Sequence, residues 1–423
     1  MNDLNIPAPT SVFIFAFHLI KYIMKKLLFV AAALCLLLSS CDRIWDPDPG
    51  TENNGSGNTT PEEKPGPTPP PTPPVDTTDT PEPPEPVDPY ADFTKIDETL
   101  MVGPVSIVEE PGDGFMRGYW PDGKLIPVRR GEEWQLFWCE AYDVLTVAST
   151  PWPEDHVSQL KESNKVFGKG FSSIKDFNEN GSWFIGIFPQ GNDGHYVGFF
   201  HAESHWAGDG TAHKSIGVAY SDDYGYTWHD AAPIIVENRL KPETPTWSGL
   251  GDGCVIWDSI NSRYICYYQG KISSGANTLC MAVSYDKEGA SGTWKKWDGN
   301  DFTLDAYDAQ TGIGGENIAI KPLNMATGAN PSVMWNTYLE KWVMVYASWG
   351  HYVYVSYSDD GITWSIPKKV IGKGTEPAWY PNMISEDGDL VGGKTVKLYY
   401  SHNQGSNGKR NIGCRTLIFN KPE

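Results

Sequence analysis

The densest cluster of chemistry-bearing residues in the chain is His201-Ala-Glu203-Ser-His205-Trp206. In an extended strand alternate side chains share a face, so His201, Glu203 and His205 would point the same way. Three readings of the trio are open. Glu203 is a general acid whose pKa burial raises; or two imidazoles and a carboxylate hold a metal; or the segment is a polar, solvated loop end. A second acid, Asp252, stands in Gly249-Leu-Gly-Asp252-Gly-Cys-Val255, where flanking glycines let backbone and substrate approach closely. Its plain alternative is a turn cap, a common role for Asp between glycines. Glu316 (Gly314-Gly-Glu316-Asn317) and Glu376 (Gly374-Thr-Glu376-Pro377) follow long glycine-containing loops. Paired carboxyls of this kind suit glycosidic-bond hydrolysis, one donating a proton to the leaving oxygen and the other activating water. His201, Trp206, Asn330, Trp349, Glu376, Tyr380 and His402 are the candidate sugar contacts, since aromatic faces match the C–H face of a sugar ring.

Such residues are far apart in sequence and need a repeating scaffold to meet. Asn330–Trp364 supplies the template: an apolar strand (Pro331–Trp335), an aromatic strand (Lys341–Ala347), a third strand (Tyr352–Tyr357) and a tight turn, Ser358–Trp364. Similar units start at Leu125, Trp183, Cys254 and Pro381, and repeats of this length point to a propeller. The fourth strand of the first unit is expected within Val166–Phe177. The last unit lacks an outer strand, which Gly103–Val108 can supply, closing the ring. The expected fold is therefore all-β, a five-bladed β-propeller closed by its N-terminal strand. In antiparallel four-stranded blades, loops entering the first strand and leaving the second share one face. That face collects Asp122, Asp252, Asn330 and Tyr380 with Glu203, Gln269, Trp349 and His402.

Ser221-Asp-Asp-Tyr-Gly-Tyr-Thr-Trp228 resembles the Asp-box (S-x-D-x-G-x-T-W) of sialidases and other propellers. Tyr357–Trp364 resembles it less closely, with Asp359, Gly361, Thr363 and Trp364 read as in place, and Ser284–Trp294 carries an insertion. The Asp-box implies a hairpin away from any active site, with Trp228, Trp294 and Trp364 as packing residues. Over residues 100–420 the chain also resembles the family 43 glycoside hydrolases, though the Asp-Pro of that family reads Asp252-Gly253 here. That resemblance implies an inverting hydrolase, with Asp252 and either Glu203 or Glu316 as acid and base, their carboxyls roughly 6.5–9.5 Å apart. A sialidase would use three arginines and a Tyr nucleophile. No Arg-Ile-Pro motif is present, and Arg263 falls on the wrong face. A propeller that binds glycan without cutting it fits the sequence equally well.

The remainder of the 423-residue chain concerns location. Met24-Lys-Lys26 and the apolar run Leu27–Leu38 have the form of a secretory signal, with Met24 read as the translational start. Leu38-Ser-Ser-Cys41 resembles a bacterial lipobox, which implies lipidation at Cys41 and membrane attachment. Residues 1–41 are thus read as signal and 42–94 as linker: thirteen of the thirty residues Pro61–Tyr90 are proline, so the segment is an extended tether. Residues 95–423 form the propeller. The expected setting is the outer membrane, exposed at the cell surface, with the chain acting as a monomer on carbohydrate. A net charge of −20 argues against nucleic acid. No cofactor is expected beyond a structural divalent cation admissible in the central channel. Cys139, Cys254, Cys266, Cys280 and Cys414 lack metal-site spacing and are read as buried strand residues without an essential disulfide.

Overall fold

The structure, a computed structural model, describes residues 88–109, 122–140, 143–150, 164–168, 170, 172–325, 327–348, 352–372, 378–404 and 410–422. The signal segment, Cys41 and most of the proline-rich linker lie outside them, as do Trp349 and Glu376. The described residues are almost entirely β, in five sheets with a propeller arrangement.

Each sheet is built from consecutive antiparallel strands. The first comprises Leu125–Arg130, Glu133–Glu140, Asp143–Thr150 and Asn164–Gly168. The second comprises Gly181–Pro189, Tyr196–His205, Ala212–Ser221 and His229–Ile235. The third runs Gly251–Asp258, Arg263–Lys271, Asn277–Ser284 and Lys295–Trp297, with an added edge strand, Phe302–Asp305. The fourth is Ala329–Asn336, Lys341–Ser348, Tyr352–Ser358 and Lys368–Ile371. The fifth is Ala378–Ile384, Thr395–Gln404 and Arg410–Phe419. Its outer edge is completed by two N-terminal segments, Leu100–Val102 and Ser106–Glu109, both pairing with Arg410–Phe419. The sequence pointed only to the second of these. In the first sheet the outer strand, Asn164–Gly168, starts two residues before the window Val166–Phe177 and ends within it. Phe177 instead packs its ring on Phe200 of the second sheet.

The core is divided among the seams between sheets. Ile126, Phe137 and Phe167 meet Phe184 and Phe200 between the first and second. Ile185 and Phe199 meet Val255 and Tyr264 between the second and third. Tyr267 and Met281 meet Val333 and Met344 at the next seam, and Val343 and Val353 meet Val396 and Leu398 at the one after. Leu125 and Trp138 meet Ile384 and Tyr399 where last joins first. At that closure the Asn382 side chain accepts the Leu125 N–H at 3.1 Å and donates to the Gly123 carbonyl at 3.4 Å. Apolar burial at every seam makes the ring cooperative: opening one seam exposes two hydrophobic faces.

The turns between third and fourth strands are tied from within. Ser221 Oγ donates to Asp223 Oδ1 and accepts the Gly225 N–H, and Asp223 accepts both the N–H and hydroxyl of Thr227. The Trp228 indole donates to the Gly225 carbonyl and its ring is buried. In the fourth sheet Ser358 and Asp360 do the same work, with Asp360 accepting the Ile362 and Thr363 N–H groups. The acid of that turn is thus Asp360. Asp359, assigned to it from the sequence, faces outward and pairs with Lys341. A turn one residue shorter still lets a Ser–Asp pair reach the same backbone donors. The insertion in Ser284–Trp294 is absorbed by a loop in which Trp294 donates to the Gly289 carbonyl.

Cys139, Cys254, Cys266, Cys280 and Cys414 are buried, and none forms a disulfide among the described residues.

Candidate functional site

A cavity of about 710 Å³ opens over the inner strands on the face away from the Asp-box turns. The inner strands enter it through a repeated local distortion. Asp252, Asn330 and Tyr380 have φ of 51°, 50° and 49°, and each falls within a register shift between the first two strands of its sheet. Each is therefore the left-handed residue of a bulge, which re-aims one side chain out of the alternation. Asp and Asn tolerate this conformation, whereas for a bulky Tyr it is strained. Three consecutive blades holding it at the cavity mark the site as a place where strain is maintained by its surroundings.

Asp252 is the centre of a polar network. Its Oδ2 accepts from Lys214 Nζ at 2.7 Å, its Oδ1 accepts from Asn330 Nδ2 at 3.3 Å, and its backbone N–H donates to His201 Nδ1 at 2.9 Å. Because Nδ1 of His201 accepts, the ring proton sits on Nε2, which donates to Glu203 Oε1 at 3.2 Å. His205 Nε2 lies 2.8 Å from the other Glu203 oxygen. The close approach of His201 requires Gly251, since a Cβ there would lie 2.0 Å from Nδ1. Gly249 likewise has φ +81° and leaves no room for a Cβ against the Lys214 carbonyl. The glycines around Asp252 thus admit protein neighbours, with Gly253 pressed on the Tyr267 backbone.

This network fixes charge states. Burial alone would raise the Glu203 carboxyl, but the hydrogen bonds from His201 and His205 outweigh it and hold the group well below the usual range. Burial likewise pushes Asp252 up, and the Lys214 ammonium overrides it, so the net direction is down. Lys214 is the mirror case: burial disfavours its charge, but the Asp252 and Glu203 carboxylates raise its pKa. The reading of Glu203 as an acid protonated by burial is therefore corrected: it is an ionised anchor for two imidazoles. The metal reading of the trio is corrected too. Both ring nitrogens of His201 and both oxygens of Glu203 are already engaged within the protein, and no described cluster of His, Cys, Asp or Glu has the form of a metal site. Nor does the cavity floor suit a divalent cation, because the Lys124 ammonium occupies it.

Of the residues singled out in the sequence, His201, Glu203, Asp252, Asn330 and Tyr380 line this cavity together. Glu316 does not. Gly314 and Gly315 are hydrogen-bonded to Glu237 and Asp305, which holds the segment along the outer strands of the third sheet; from there Asn317 turns inward. Trp206 is also absent from the lining: its indole N–H is taken by the Pro242 carbonyl and Lys241 sits over its ring. His402 packs beside Tyr400 in the fifth sheet and does not line the cavity.

Asp122 and Gln269, read from the sequence as loop residues of this face, also line the cavity, and three further lining residues, Lys124, Trp183 and Trp247, emerge only from the structure. Asp122 lies in the loop entering the first blade, and Lys124 follows it immediately before the strand Leu125–Arg130. Trp183 faces the His201 ring at 5.4 Å. Trp247, 55% exposed, presents its ring at the mouth with the Lys214 ammonium 5.1 Å from its centroid. Asp122 could have been promoted from the sequence, because Asp122-Gly123 repeats Asp252-Gly253 at the entry to an inner strand. Trp247 carried no such signal, since only the pairing of Ser248–Gly249 with His213–Lys214 brings its loop over the cavity.

The fold and the site define a propeller with a carboxylate- and aromatic-lined cavity over its inner strands. No protein-family profile matches the chain, and no curated protein matches it significantly in sequence. Among solved structures it is similar to a family 117 glycoside hydrolase from the marine bacterium Zobellia galactanivorans, at 10% identity and a TM-score of 0.46, covering 75% of this chain and 94% of that one. A thermostable family-43 glycoside hydrolase is similar at 13% identity and a TM-score of 0.43, covering 74% and 96%. The catalytic domain of a Coprinopsis cinerea GH62 α-L-arabinofuranosidase is similar at 11% and 0.44, covering 77% and 98%. Likeness at this level assigns no chemistry to the chain, which has to be argued from its own residues.

Proposed function

We propose that the chain is a glycoside hydrolase acting on an oligosaccharide or polysaccharide chain bound across this cavity. One observation carries the reading. Asp122 and Asp252, from the non-adjacent first and third blades, line one cavity whose walls are Trp183, Trp247, Trp379 and Tyr380. Two carboxyls lining one aromatic-walled cavity are what general acid–base hydrolysis of a glycoside uses, and aromatic rings hold the sugar against them. Within this scheme Lys214 keeps the Asp252 carboxylate ionised, Glu203 orients His201 and His205, and Asn330 holds the other oxygen of Asp252. The variants Asp122→Asn and Asp252→Asn, assayed by reducing-sugar release across pH, assign the roles. Loss of the donor removes the basic limb of the profile, and loss of the base removes the acidic limb. Full activity in both variants would sink the assignment.

A second reading, glycan binding without cleavage, is favoured by the charge states. Glu203 and Asp252 are both pushed toward the carboxylate by their imidazole and ammonium neighbours, so hydrolysis would have to take its proton from Asp122, and without that donor the cavity binds only. Calorimetry on a glycan panel beside reducing-sugar release separates the two, because tight binding without release from any bound glycan supports the binder. In either case we propose a lipid anchor at Cys41 and a cell-surface position at the end of the proline-rich tether. Metabolic labelling with a fatty acid, lost in Cys41→Ala, tests the anchor.

A further inference from the structure

Among the described residues three lysines are deeply buried, and their ammonium groups are treated differently. Lys296, fully buried, donates to the carbonyls of Val236 and Gly315 and to Asn317 Oδ1, at 2.7, 2.7 and 2.9 Å. All three of its N–H groups are matched by oxygen. Lys214 has the Asp252 carboxylate at 2.7 Å and the face of Trp247. Lys124, 7% exposed, has one hydrogen-bond partner in the protein: the thiol of Cys254, with Nζ–Sγ 3.2 Å. A thiol is a weak acceptor, and among the described residues no carboxylate lies within ion-pair distance of this Nζ. A buried ammonium with no carboxylate in contact is costly, and an anion brought to it is correspondingly favoured.

Lys124 differs from Lys296 in a second way: it lines the cavity. The other charges facing that space are Asp122, Glu203, Asp252, Lys214 and Lys271. Asp252 is neutralised by Lys214 and Glu203 is bound by two imidazoles, while Lys271 stands exposed at the mouth with no ion-pair partner among the described residues. Asp389, buried on the loop between the first two strands of the fifth sheet, feels the Lys124 charge through space, but no ion pair links the two. Beside Asp252, the Asn330 amide is oriented by donating to an ionised carboxylate, which leaves its buried Oδ1 as an acceptor with no protein donor. The floor therefore carries an ammonium suited to an anionic oxygen and a carbonyl suited to a hydroxyl.

We propose that the cavity is selective for acidic glycans, with Lys124 receiving the carboxylate of a uronic-acid residue and Lys271 meeting the charge of the adjoining chain. The proposal rests on the carbohydrate reading of the site given above, and it holds whether or not the bound chain is cut. The test is calorimetry on the full chain with uronate-containing oligosaccharides and the same oligosaccharides after carboxyl reduction, so that the carboxylate is the only difference. Wild-type protein is expected to prefer the acidic member of a pair by roughly 10- to 100-fold, the range of a charge-assisted hydrogen bond. Lys124→Met is expected to abolish the preference while leaving the reduced oligosaccharide bound, and Lys271→Ala to weaken only the acidic ligand, more so at low salt. Equal binding of both members by wild-type protein overturns the proposal without any variant, so a poorly folded Lys124→Met does not shelter it. Release of sugar from neutral glycans with no acidic preference would overturn this inference and leave the hydrolase reading standing. Acidic preference without cleavage would support it and remove the hydrolase reading. Binding of neither member would overturn both.

Discussion

The two faces of the propeller use the same residue types to opposite ends. At the Asp-box turns, Ser221 and Asp223, and again Ser358 and Asp360, satisfy their polar atoms on each other and on backbone N–H groups within the turn. At the cavity, Asp252 and Asn330 are lifted out of the strand alternation by bulges and reach side chains from other blades. Local satisfaction makes the turns architectural. Non-local satisfaction, together with acceptors and donors left over at Asn330 and Lys124, makes the cavity receptive. An Asp in this chain is therefore informative according to how far away its partners lie.

The sharpest way to break this contrast is Asp252→Asn. The expected loss of glycan hydrolysis is about 10²- to 10⁴-fold with binding retained, read as kcat against affinity. The corresponding change at a turn, Asp223→Asn, is expected to leave turnover unchanged in the same assay. Next is Lys214→Met, which strands a buried carboxylate. A destabilisation of about 3–5 kcal/mol is expected by denaturant unfolding, and Lys214→Met with Asp252→Asn should recover part of it.

A smaller effect distinguishes the two aspartates of the fourth-sheet turn. Asp360→Ala is expected to destabilise by about 1–3 kcal/mol, since it leaves backbone donors unmatched. Asp359→Ala should stay within about 0.5 kcal/mol, because its partner Lys341 is on the surface. Equal effects would return the acid role to Asp359. Trp247→Ala, at an exposed rim position, should weaken oligosaccharide binding about tenfold without moving Tm.

The pH dependence separates the groups by sign. Glu203 and Asp252 have depressed values in the folded protein, so their stabilising contribution is full above the unfolded carboxylate range of about 4 and falls away below it. Asp389 runs the other way. Burial lifts it to about 6, so its ionisation lowers stability as pH rises from about 4 to about 6. Asp389→Asn should therefore raise Tm at pH 7 and have little effect at pH 4. A uniform shift at both pH values would contradict this account.

The sequence by itself determined the repeat: the aromatic and β-branched strands, the Gly-Trp turns, and the face on which each loop emerges. Strand periodicity and turn chemistry are local, and local patterns survive without coordinates. It also brought forward Asp252, His201, Glu203, Asn330 and Tyr380 as candidates on one face. It could not assign their charge, because whether the flanking imidazoles donate to Glu203 depends on strand geometry and on Asp252 and Lys214, which only folding brings near. Nor could it tell that Glu316 and Trp206 would be drawn aside by backbone partners at Asp305 and Pro242. Lys124 beside Cys254, 130 positions apart, and Trp247 over Lys214 were decided by tertiary structure alone. Which charges are compensated, and which are left for a ligand, depends on distances across blades, and no spacing along the chain encodes those.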